Sequence, residues 1–455
     1  MKGPDATVSR RDFLKLTAAA AAAGPALLSS AAPAAAGAAA KAAAQTGKKT
    51  LKIAKWAHFL PDYDPWFDSA IAAEWGRRND TQVIVDHIPV DEIGARAAAE
   101  AAAGSGHDLI MFPWPPAEYQ GHVIDHAEIY QKVSFRHGSI ERLSHNSTYN
   151  PKTKKYFAFA DSYMPLPLHY YEDQWSEVGM RLGPVHVNGL RSGGQRLRAK
   201  LGIPTGLALT PSLEGNVTLF TLLYGMGGRI FDADGNVILN TGARTQEILK
   251  FAKRIFDDSG AAEQLAWGPG AAARAMLARK TSCTMSNICL MRTAERENPE
   301  LAKHMRLSPP LLGHDSIFAF PHVTSCSAVW KFAENPEGAK QFLVELIDSS
   351  KSIYEKSGGA SFPIYQKTVP DLIVRLENDP VGDPPYKYKE LKDALHWTTN
   401  LGFPTYANPA FMETFNSFVI PRMFLGVLKG EQTPEDAAHT AEAEVKRIAD
   451  KWKQV

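Results

Sequence analysis

Cysteine is scarce in this sequence of 455 residues, which contains only Cys283, Cys289 and Cys326. An odd count of three excludes a scaffold held together by disulfide bonds. We interpret the three as small buried apolar side chains, with one bridge between Cys283 and Cys289 as the alternative in an oxidising compartment. Because no cysteine lies in the first 50 residues, we expect no lipid anchor there.

An excess of charge of either sign is also missing. The chain has 50 basic and 49 acidic residues and a formal net charge of +1. Nucleic-acid-binding proteins usually carry a strong basic excess, so no nucleic-acid partner is expected. After the N-terminal region, no window reaches the roughly 18 consecutive apolar residues that a membrane span requires.

Local motifs for cofactor and nucleophile chemistry are absent as well. The sequence has no Gly-x-Ser-x-Gly elbow, Walker loop, Rossmann glycine fingerprint or cysteine set for haem or iron–sulfur clusters. His122 and His126 have a spacing that can bind metal on a helix, but no third ligand accompanies them. We therefore predict no catalytic residues, no cofactor and no metal site. An exported enzyme whose catalytic residues are scattered along the chain is the alternative.

The N-terminal region reads Ser-Arg-Arg-Asp-Phe-Leu-Lys at residues 9–15. This heptapeptide resembles the twin-arginine export signature, with Arg10 and Arg11 as the arginine pair. A weakly apolar, Ala-rich stretch follows. The pattern predicts a signal peptide over residues 1–44, export of the folded chain by the twin-arginine translocase, and a periplasmic location.

Strands and helices alternate after this leader. Apolar runs predict strands over residues 51–56, 82–88 and 108–112, and helical spacing predicts helices over Asp91–Ala103 and Pro116–Ala127. Successive strand–helix units are typical of a parallel sheet with helices on both faces. The sequence therefore predicts an α/β fold.

Five motifs, in this order, resemble those of family 1 extracellular solute-binding proteins, the group that includes maltose-binding receptors. They are His169–Gly179, Leu222–Leu239 with its Asp-Gly turn, Ala272–Met276 followed by Ser286-Asn287, Ser357–Pro363, and Thr433–Trp452. One segment, Val185–Leu190, departs from the family pattern.

The resemblance implies a two-lobe periplasmic binding protein fold with a hinge and a ligand cleft between the lobes. Lobe one is expected to comprise residues 50–160 plus 305–350, and lobe two residues 165–300 plus 355–455. It also implies a monomeric, non-enzymatic receptor that passes a small polar solute, a sugar or polyol, to the membrane permease subunits of an ABC importer. A polyamine or ferric-ion receptor of the same fold is an alternative, since Tyr170-Tyr171 resembles the paired tyrosines of ferric-ion receptors.

Aromatic residues and carboxylates are concentrated in the loops that follow the predicted strands. Sugar rings stack on aromatic faces, and their hydroxyls pair with carboxylates and amides. We therefore predict that six residues face one cleft and bind the ligand: Trp56, Asp64, Trp114, Tyr163, Asn287 and Phe362. The alternative for each aromatic ring is a place in the core of a lobe.

Overall fold

The computed structural model describes residues 49–311, 313 and 322–453. The predicted signal peptide, residues 1–44, lies outside the described residues. In chain order the strands of the described part are β1 (Lys49–Trp56), β2 (Thr81–Ile88), β3 (Leu109–Phe112), β4 (Tyr149–Asn150), β5 (Lys155–Tyr156), β6 (Phe159–Pro165), β7 (Leu168–Tyr171), β8 (Cys283–Met285), β9 (Met305–Ser308), β10 (His322–Val329) and β11 (Phe362–Pro363).

The first lobe is built on a six-stranded sheet in the order β11–β6–β10–β3–β1–β2. Strand β1 is parallel to β2 and β3, and β10 is antiparallel to β3 and β6. The neighbouring residues Leu109 and Ile110 point to opposite faces of the sheet, and both are completely buried. Both faces are therefore covered, which is why these strands form continuous apolar runs in the sequence.

Helices of the first lobe are Tyr63–Trp66, Phe67–Ala73 and Glu74–Arg78 in succession, Ile93–Ala103, Ala117–Tyr119, Ala127–His137, Arg142–Thr148, Pro336–Asp348 and Ser350–Lys356. The helix Ile93–Ala103 ends where Gly104 takes a left-handed conformation, with φ of 63°. Glycine has no Cβ and adopts this conformation without strain. The strands predicted over 51–56, 82–88 and 108–112 and the helix predicted over Asp91–Ala103 are confirmed within two residues at each end.

The second lobe has a three-stranded antiparallel sheet in the order β8–β7–β9. Its helices are Glu172–Ser176, Val187–Leu201, Leu213–Gly225, Arg244–Ser259, Ala262–Ala266, Ala271–Leu277, Cys289–Glu297, Pro299–Ala302, Pro409–Asn416, Val419–Leu428 and Pro434–Lys453. The last of these helices packs against the two that precede it. Short helices at Gln366–Thr368, Leu372–Glu377, Lys389–Asp393 and Ala394–Trp397 follow β11.

A described segment that carries the chain between the two sheets is Leu166-Pro167, which joins β6 of the larger sheet to β7 of the smaller one. The boundaries differ from the predicted ones at two strands. Strand β9 pairs with β7 in the smaller sheet, although residues 305–350 were assigned to lobe one. Strand β11 pairs with β6 in the larger sheet, although residues 355–455 were assigned to lobe two.

The prediction of a helix over Pro116–Ala127 is wrong. Only Ala117–Tyr119 form a helical turn, and the next helix begins at Ala127. Val123 instead forms a β-bridge with Trp330, and the Ile124 amide donates to the Val329 carbonyl. Pairing with a distant strand therefore outweighs the local helical pattern. Among the described residues, no helix combines the length and apolar character needed to cross a bilayer.

Candidate functional site

A cavity of about 710 Å³ lies between the two lobes. Lobe one lines it with Phe59, Val90, Asp91, Gly94, Ala95, Trp114, Glu118, Tyr119 and Val323, and the crossing segment adds Leu166. Lobe two lines it with Pro211, Ser212, Leu213, Glu214, Asn216, Val217, Pro269, Gly270, Ala273, Leu277, Met285, Ser286, Asn287, Cys289, Leu290, Thr293, Phe415, Asn416 and Phe418. Its volume is in the range of small-molecule sites, roughly 300–1,000 Å³.

The first-lobe side of the cleft follows the carboxyl ends of the parallel strands. Phe59 comes three residues after β1 ends at Trp56, and Trp114 comes two residues after β3. Open α/β sheets bind ligands at this edge, because the loops there converge. Phe59 and Trp114 keep part of their surface exposed, so both rings are accessible from the cleft.

The second-lobe side is presented by the first turns of two helices. The Ser212 hydroxyl accepts from the Gly215 amide at 3.0 Å and caps the helix Leu213–Gly225, whose first turn carries Glu214 and Asn216 into the cavity lining. The Asn287 Oδ1 accepts from the Cys289 amide at 2.8 Å, where the helix Cys289–Glu297 begins. These side-chain to backbone hydrogen bonds fix the position of Ser212 and Asn287 at the start of each helix.

The helix Pro409–Asn416 brings a third group of residues to the cavity. Asn408 caps it by accepting from the Phe411 amide at 2.9 Å, and Pro409 occupies its first turn. Phe415 and Asn416 lie at its end and line the cavity. The Phe415 ring packs against Trp114 with the ring centroids 6.3 Å apart, so the two lobes are in contact at this end of the cleft.

Glu118 lies in this interlobe contact. The Asn416 side chain donates a hydrogen bond to its Oε1, while Oε2 is buried and has no hydrogen-bond partner among the described residues. Burial raises the pKa of Glu118 to about 7, against the opposing effect of the Asn416 hydrogen bond. Asn216 is similar: its amide nitrogen donates to the Phe415 carbonyl at 2.9 Å, and its Oδ1 is buried without a described partner.

The charged residues of the lining are all acidic. Asp91, Glu118 and Glu214 contribute carboxylates, and the described lining residues include no lysine, arginine or histidine. Burial also raises the pKa of Glu214, whose carboxylate accepts from the Gly270 amide at 3.2 Å. A cavity with this composition disfavours anionic ligands, because it offers them no cationic partner.

Two of the six residues predicted to bind the ligand, Trp114 and Asn287, line the cavity. The other four, Trp56, Asp64, Tyr163 and Phe362, are not among its lining residues. Trp56 is 3% exposed, and its ring packs against that of Phe59 with the centroids 5.4 Å apart. Tyr163 and Phe362 pack edge to face on the paired strands β6 and β11, and both are buried.

Asp64 pairs with a buried lysine instead of facing the cleft. The Lys55 ammonium donates to Asp64 at 2.7 Å, and the His58 amide donates to the other carboxylate oxygen at 2.9 Å. Burial acts to raise the pKa of Asp64, but the charge and hydrogen bond of Lys55 outweigh it and lower the pKa. Lys55 lies about 5 Å from the ring centroids of Trp56, Tyr63 and Phe67. Asp64 therefore compensates a charge inside lobe one.

Several lining residues were not predicted from the sequence. Phe59, Glu118 and Tyr119 lie in the aromatic-rich stretches after β1 and β3, but the sequence pattern does not tell which side chains face the cleft. Asn216, Phe415 and Asn416 belong to lobe-two helices and carry no local signal. The contacts of Asn416 with Glu118 and of Phe415 with Trp114 join positions about 300 residues apart in the sequence.

The tyrosine pair and the histidine that the sequence offered as metal ligands are buried or hydrogen-bonded inside the fold. The Tyr171 hydroxyl donates to the Met276 carbonyl, and Tyr170 and Tyr171 are buried outside the cavity lining. His126 contacts the Tyr156 carbonyl through Nδ1 and accepts from the Val329 amide through Nε2. Within the described ranges, no group of three or more His, Cys, Asp or Glu residues could hold a metal ion.

Cys283, Cys289 and Cys326 are free and buried, so the alternative of a bridge is not realised.

Comparison with known proteins confirms the predicted export signal. Residues 7–24 match the family model described as TAT (twin-arginine translocation) pathway signal sequence. The chain therefore carries a signal for export from the cytoplasm. A search of curated proteins finds no match.

Three solved structures resemble the chain over 88% of its length at 13–18% sequence identity. An ABC transporter solute-binding protein from Thermotoga lettingae TMO, bound with α-D-tagatose, has a TM-score of 0.72 at 18% identity, and all of that chain is covered. A sugar transporter from Arthrobacter chlorophenolicus A6 with bound laminaribiose has a TM-score of 0.73 at 13% identity and 99% coverage. An ABC transporter solute-binding protein from Agrobacterium radiobacter K84 in complex with ribitol has a TM-score of 0.68 at 17% identity and 98% coverage.

These similarities confirm the fold and the resemblance on which it was predicted. The chain has the two-lobe α/β architecture of ABC transporter solute-binding proteins, and the cavity described above lies between its lobes.

Proposed function

We propose that this chain is the periplasmic solute-binding protein of an ABC importer and that it captures a sugar or polyol by closing its lobes. Its partners would be the twin-arginine translocase during export and the membrane permease subunits afterwards. The export signal and the fold support this proposal. A hinge between two rigid lobes lets closure bury a polar ligand and present a closed-state surface to the transporter.

The lining of the interlobe cavity is the observation that carries the proposal. Aromatic rings from both lobes, including Phe59, Trp114 and Phe415, offer faces on which a sugar ring can stack. Asn287 and the carboxylates of Glu118 and Glu214 offer hydrogen-bonding groups for hydroxyls. The structural neighbours bind tagatose, laminaribiose and ribitol, which are sugars and a polyol.

We further propose that Trp114 and Asn287 contact the ligand directly. Both line the cavity, one from each lobe, so lobe closure would bring them to the ligand together. For Trp56, Asp64, Tyr163 and Phe362 the proposed role is support of the first-lobe side of the cleft, with Trp56 packed against Phe59.

A thermal-shift screen of the purified mature protein tests the ligand class. The panel would contain sugars, polyols, polyamines, amino acids and ferric iron. A ligand at about 100 times its Kd raises the free energy of unfolding by roughly 2.7 kcal/mol, which gives a clear rise in melting temperature. We expect stabilisation by sugars or polyols. Stabilisation by polyamines or ferric iron alone would contradict the proposal.

Solution scattering then separates a receptor from an enzyme. A receptor closes on its ligand, so the radius of gyration should fall when the ligand is added, and the ligand should be recovered unchanged. Chemical conversion of the ligand would favour the exported enzyme instead.

A further inference from the structure

Two buried acceptor atoms in the cleft-lining residues have no described hydrogen-bond donor. They are Glu118 Oε2 and Asn216 Oδ1. Both residues are tied to the end of one helix, since Asn416 donates to Glu118 and the Asn216 amide nitrogen donates to the Phe415 carbonyl. Buried polar atoms of folded proteins are nearly always hydrogen-bonded to protein, water or ligand, so these two acceptors are available to a ligand that supplies donors.

The charge of the cleft indicates which chemical group of the ligand supplies these donors. Three carboxylates line the cavity, and no described lining residue is basic. Two more charged groups affect Glu118 from lobe two, Glu413 and Lys451. Lys451 is bound to Glu413 at 2.8 Å, so its charge is already compensated.

We propose that the solute carries a protonated amino group, as an aminated sugar or aminated polyol does, and that Glu118 receives this group with Asn216 as a second acceptor. This inference rests on the proposed function and narrows its substrate class. An ammonium group has three donors and no acceptor, whereas a hydroxyl has only one donor. A cleft whose described lining is rich in acceptors and includes no basic residue therefore matches an amine better than a neutral sugar.

The position of Glu118 explains how the amine reaches it. The Asn416–Glu118 hydrogen bond joins lobe two to lobe one. Opening of the hinge breaks this bond and uncovers the carboxylate, and closing buries it together with the bound amine. An ammonium group beside the uncovered carboxylate favours its charged form, so the amine and Glu118 would bind as an ion pair.

Titration calorimetry with matched ligands tests the inference. The pairs are glucamine and sorbitol, glucosamine and glucose, and the chitosan dimer and cellobiose, with spermidine as an amine that has no sugar or polyol part. We expect each aminated compound that binds to bind at least about 10-fold more tightly than its neutral partner. In Glu118→Gln this preference should fall to less than about 3-fold. The surface variant Glu263→Gln, on an exposed turn of lobe two, should keep it.

The salt dependence of binding gives a second readout on the unmodified protein. Glucamine is protonated at pH 7, so its affinity should fall as the ionic strength rises. The affinity for sorbitol should not change with ionic strength. This measurement applies even where Glu118→Gln fails to fold.

Four results would overturn the inference. Equal affinity for aminated and neutral partners overturns it and leaves the proposed function standing. Amine preference that persists in Glu118→Gln, or glucamine binding that is independent of ionic strength, removes an ion pair with Glu118 from the site. Binding of spermidine alone, or of no sugar or polyol in the panel, overturns the inference and the proposed function together.

Discussion

Asn416 donates a hydrogen bond to Glu118, and through it the helix Pro409–Asn416 of lobe two contacts the turn Ala117–Tyr119 of lobe one. Phe415, next to Asn416, and Trp114, four residues before Glu118, make the same connection with apolar surface, their rings tilted by 59° to each other. This interlobe contact lies at the wall of the cavity, so it affects both the opening of the hinge and the shape of the site.

The variant Asn416→Ala should shift the free protein towards a more open arrangement. Loss of the hydrogen bond to Glu118 removes about 1–2 kcal/mol that stabilises contact between the lobes, which changes the ratio of closed to open molecules by roughly 5- to 30-fold. Solution scattering should show a larger radius of gyration without ligand. Ser417→Ala is a matched control, because that hydroxyl makes no hydrogen bond within the described part of the chain. An unchanged radius of gyration in Asn416→Ala would show that the contact does not hold the lobes together.

Truncation of Trp114 and of Trp56 should separate binding from folding. Trp114 lines the cavity, so Trp114→Ala should weaken ligand binding about 10- to 100-fold with a small change in melting temperature. Trp56 is buried, so Trp56→Ala should lower the free energy of unfolding by roughly 3–5 kcal/mol. Titration calorimetry and thermal unfolding of both variants give the comparison. The prediction fails if Trp114→Ala melts far lower and binds normally when folded.

The contrast between these two tryptophans shows what the sequence could predict about the site. The loop after β1 is rich in aromatics, and its place at the carboxyl end of a parallel strand identifies it as a cleft loop. Trp56 itself is the last residue of β1 and pairs with Ile88, so its side chain is held in the sheet. Phe59, three residues later, lines the cavity. Local pattern therefore identifies the loop, whereas the strand register decides which ring is exposed.

The fold was more predictable than the site, for a physical reason. Strands buried on both faces have to be apolar along their whole length, so β1 and β3 are visible in the sequence alone. The lobe-two side of the site depends on the distant residues Asn216 and Asn416, which no local spacing relates to Glu118. The helix predicted over Pro116–Ala127 does not form for the same reason, because Val123 pairs with Trp330, which is distant in the sequence.

All three cysteines should be protected from thiol reagents in the folded protein and should react with them after unfolding. Burial raises the pKa of Cys283 and Cys289 to about 12, which suppresses the reactive thiolate. Titration with a thiol reagent should therefore count no cysteine under native conditions and three in denaturant without reductant. The same sample reduced before titration is the control. A count of one in the unreduced, unfolded protein would show that two cysteines are bridged.

Export should depend on the arginine pair of the signal. Residues 7–24 match the twin-arginine signal model, and Arg10 and Arg11 lie inside this match. The double variant Arg10→Lys, Arg11→Lys should accumulate as a precursor in the cytoplasm, measured by cell fractionation and immunoblotting. The single change Lys2→Arg lies outside the match and should leave export unaffected. Normal periplasmic accumulation of the double variant would contradict the twin-arginine route.

A buried histidine of lobe one should make the stability of the fold depend on pH. The His107 ring lies between two carboxylates, with Nδ1 at 2.5 Å from Glu100 and Nε2 at 3.1 Å from Asp86. Glu100 also accepts from the Trp330 indole at 3.2 Å, which ties the group to β10. Burial alone would lower the pKa of His107, but the hydrogen bonds to Asp86 and Glu100 outweigh it and raise the pKa to about 9.

The folded-state pKa of His107 therefore exceeds the ordinary value of 6.5 that applies to the unfolded chain. Its charged form stabilises the fold fully below pH 6.5, and this contribution is lost as the pH rises through about 9. We expect the wild type to lose roughly 1–3 kcal/mol of unfolding free energy between pH 6 and pH 9.5 relative to His107→Gln. Urea unfolding at both pH values measures this difference. The exposed His396→Gln should follow the wild type, and parallel pH profiles for wild type and His107→Gln would show that His107 is not charged in the folded protein.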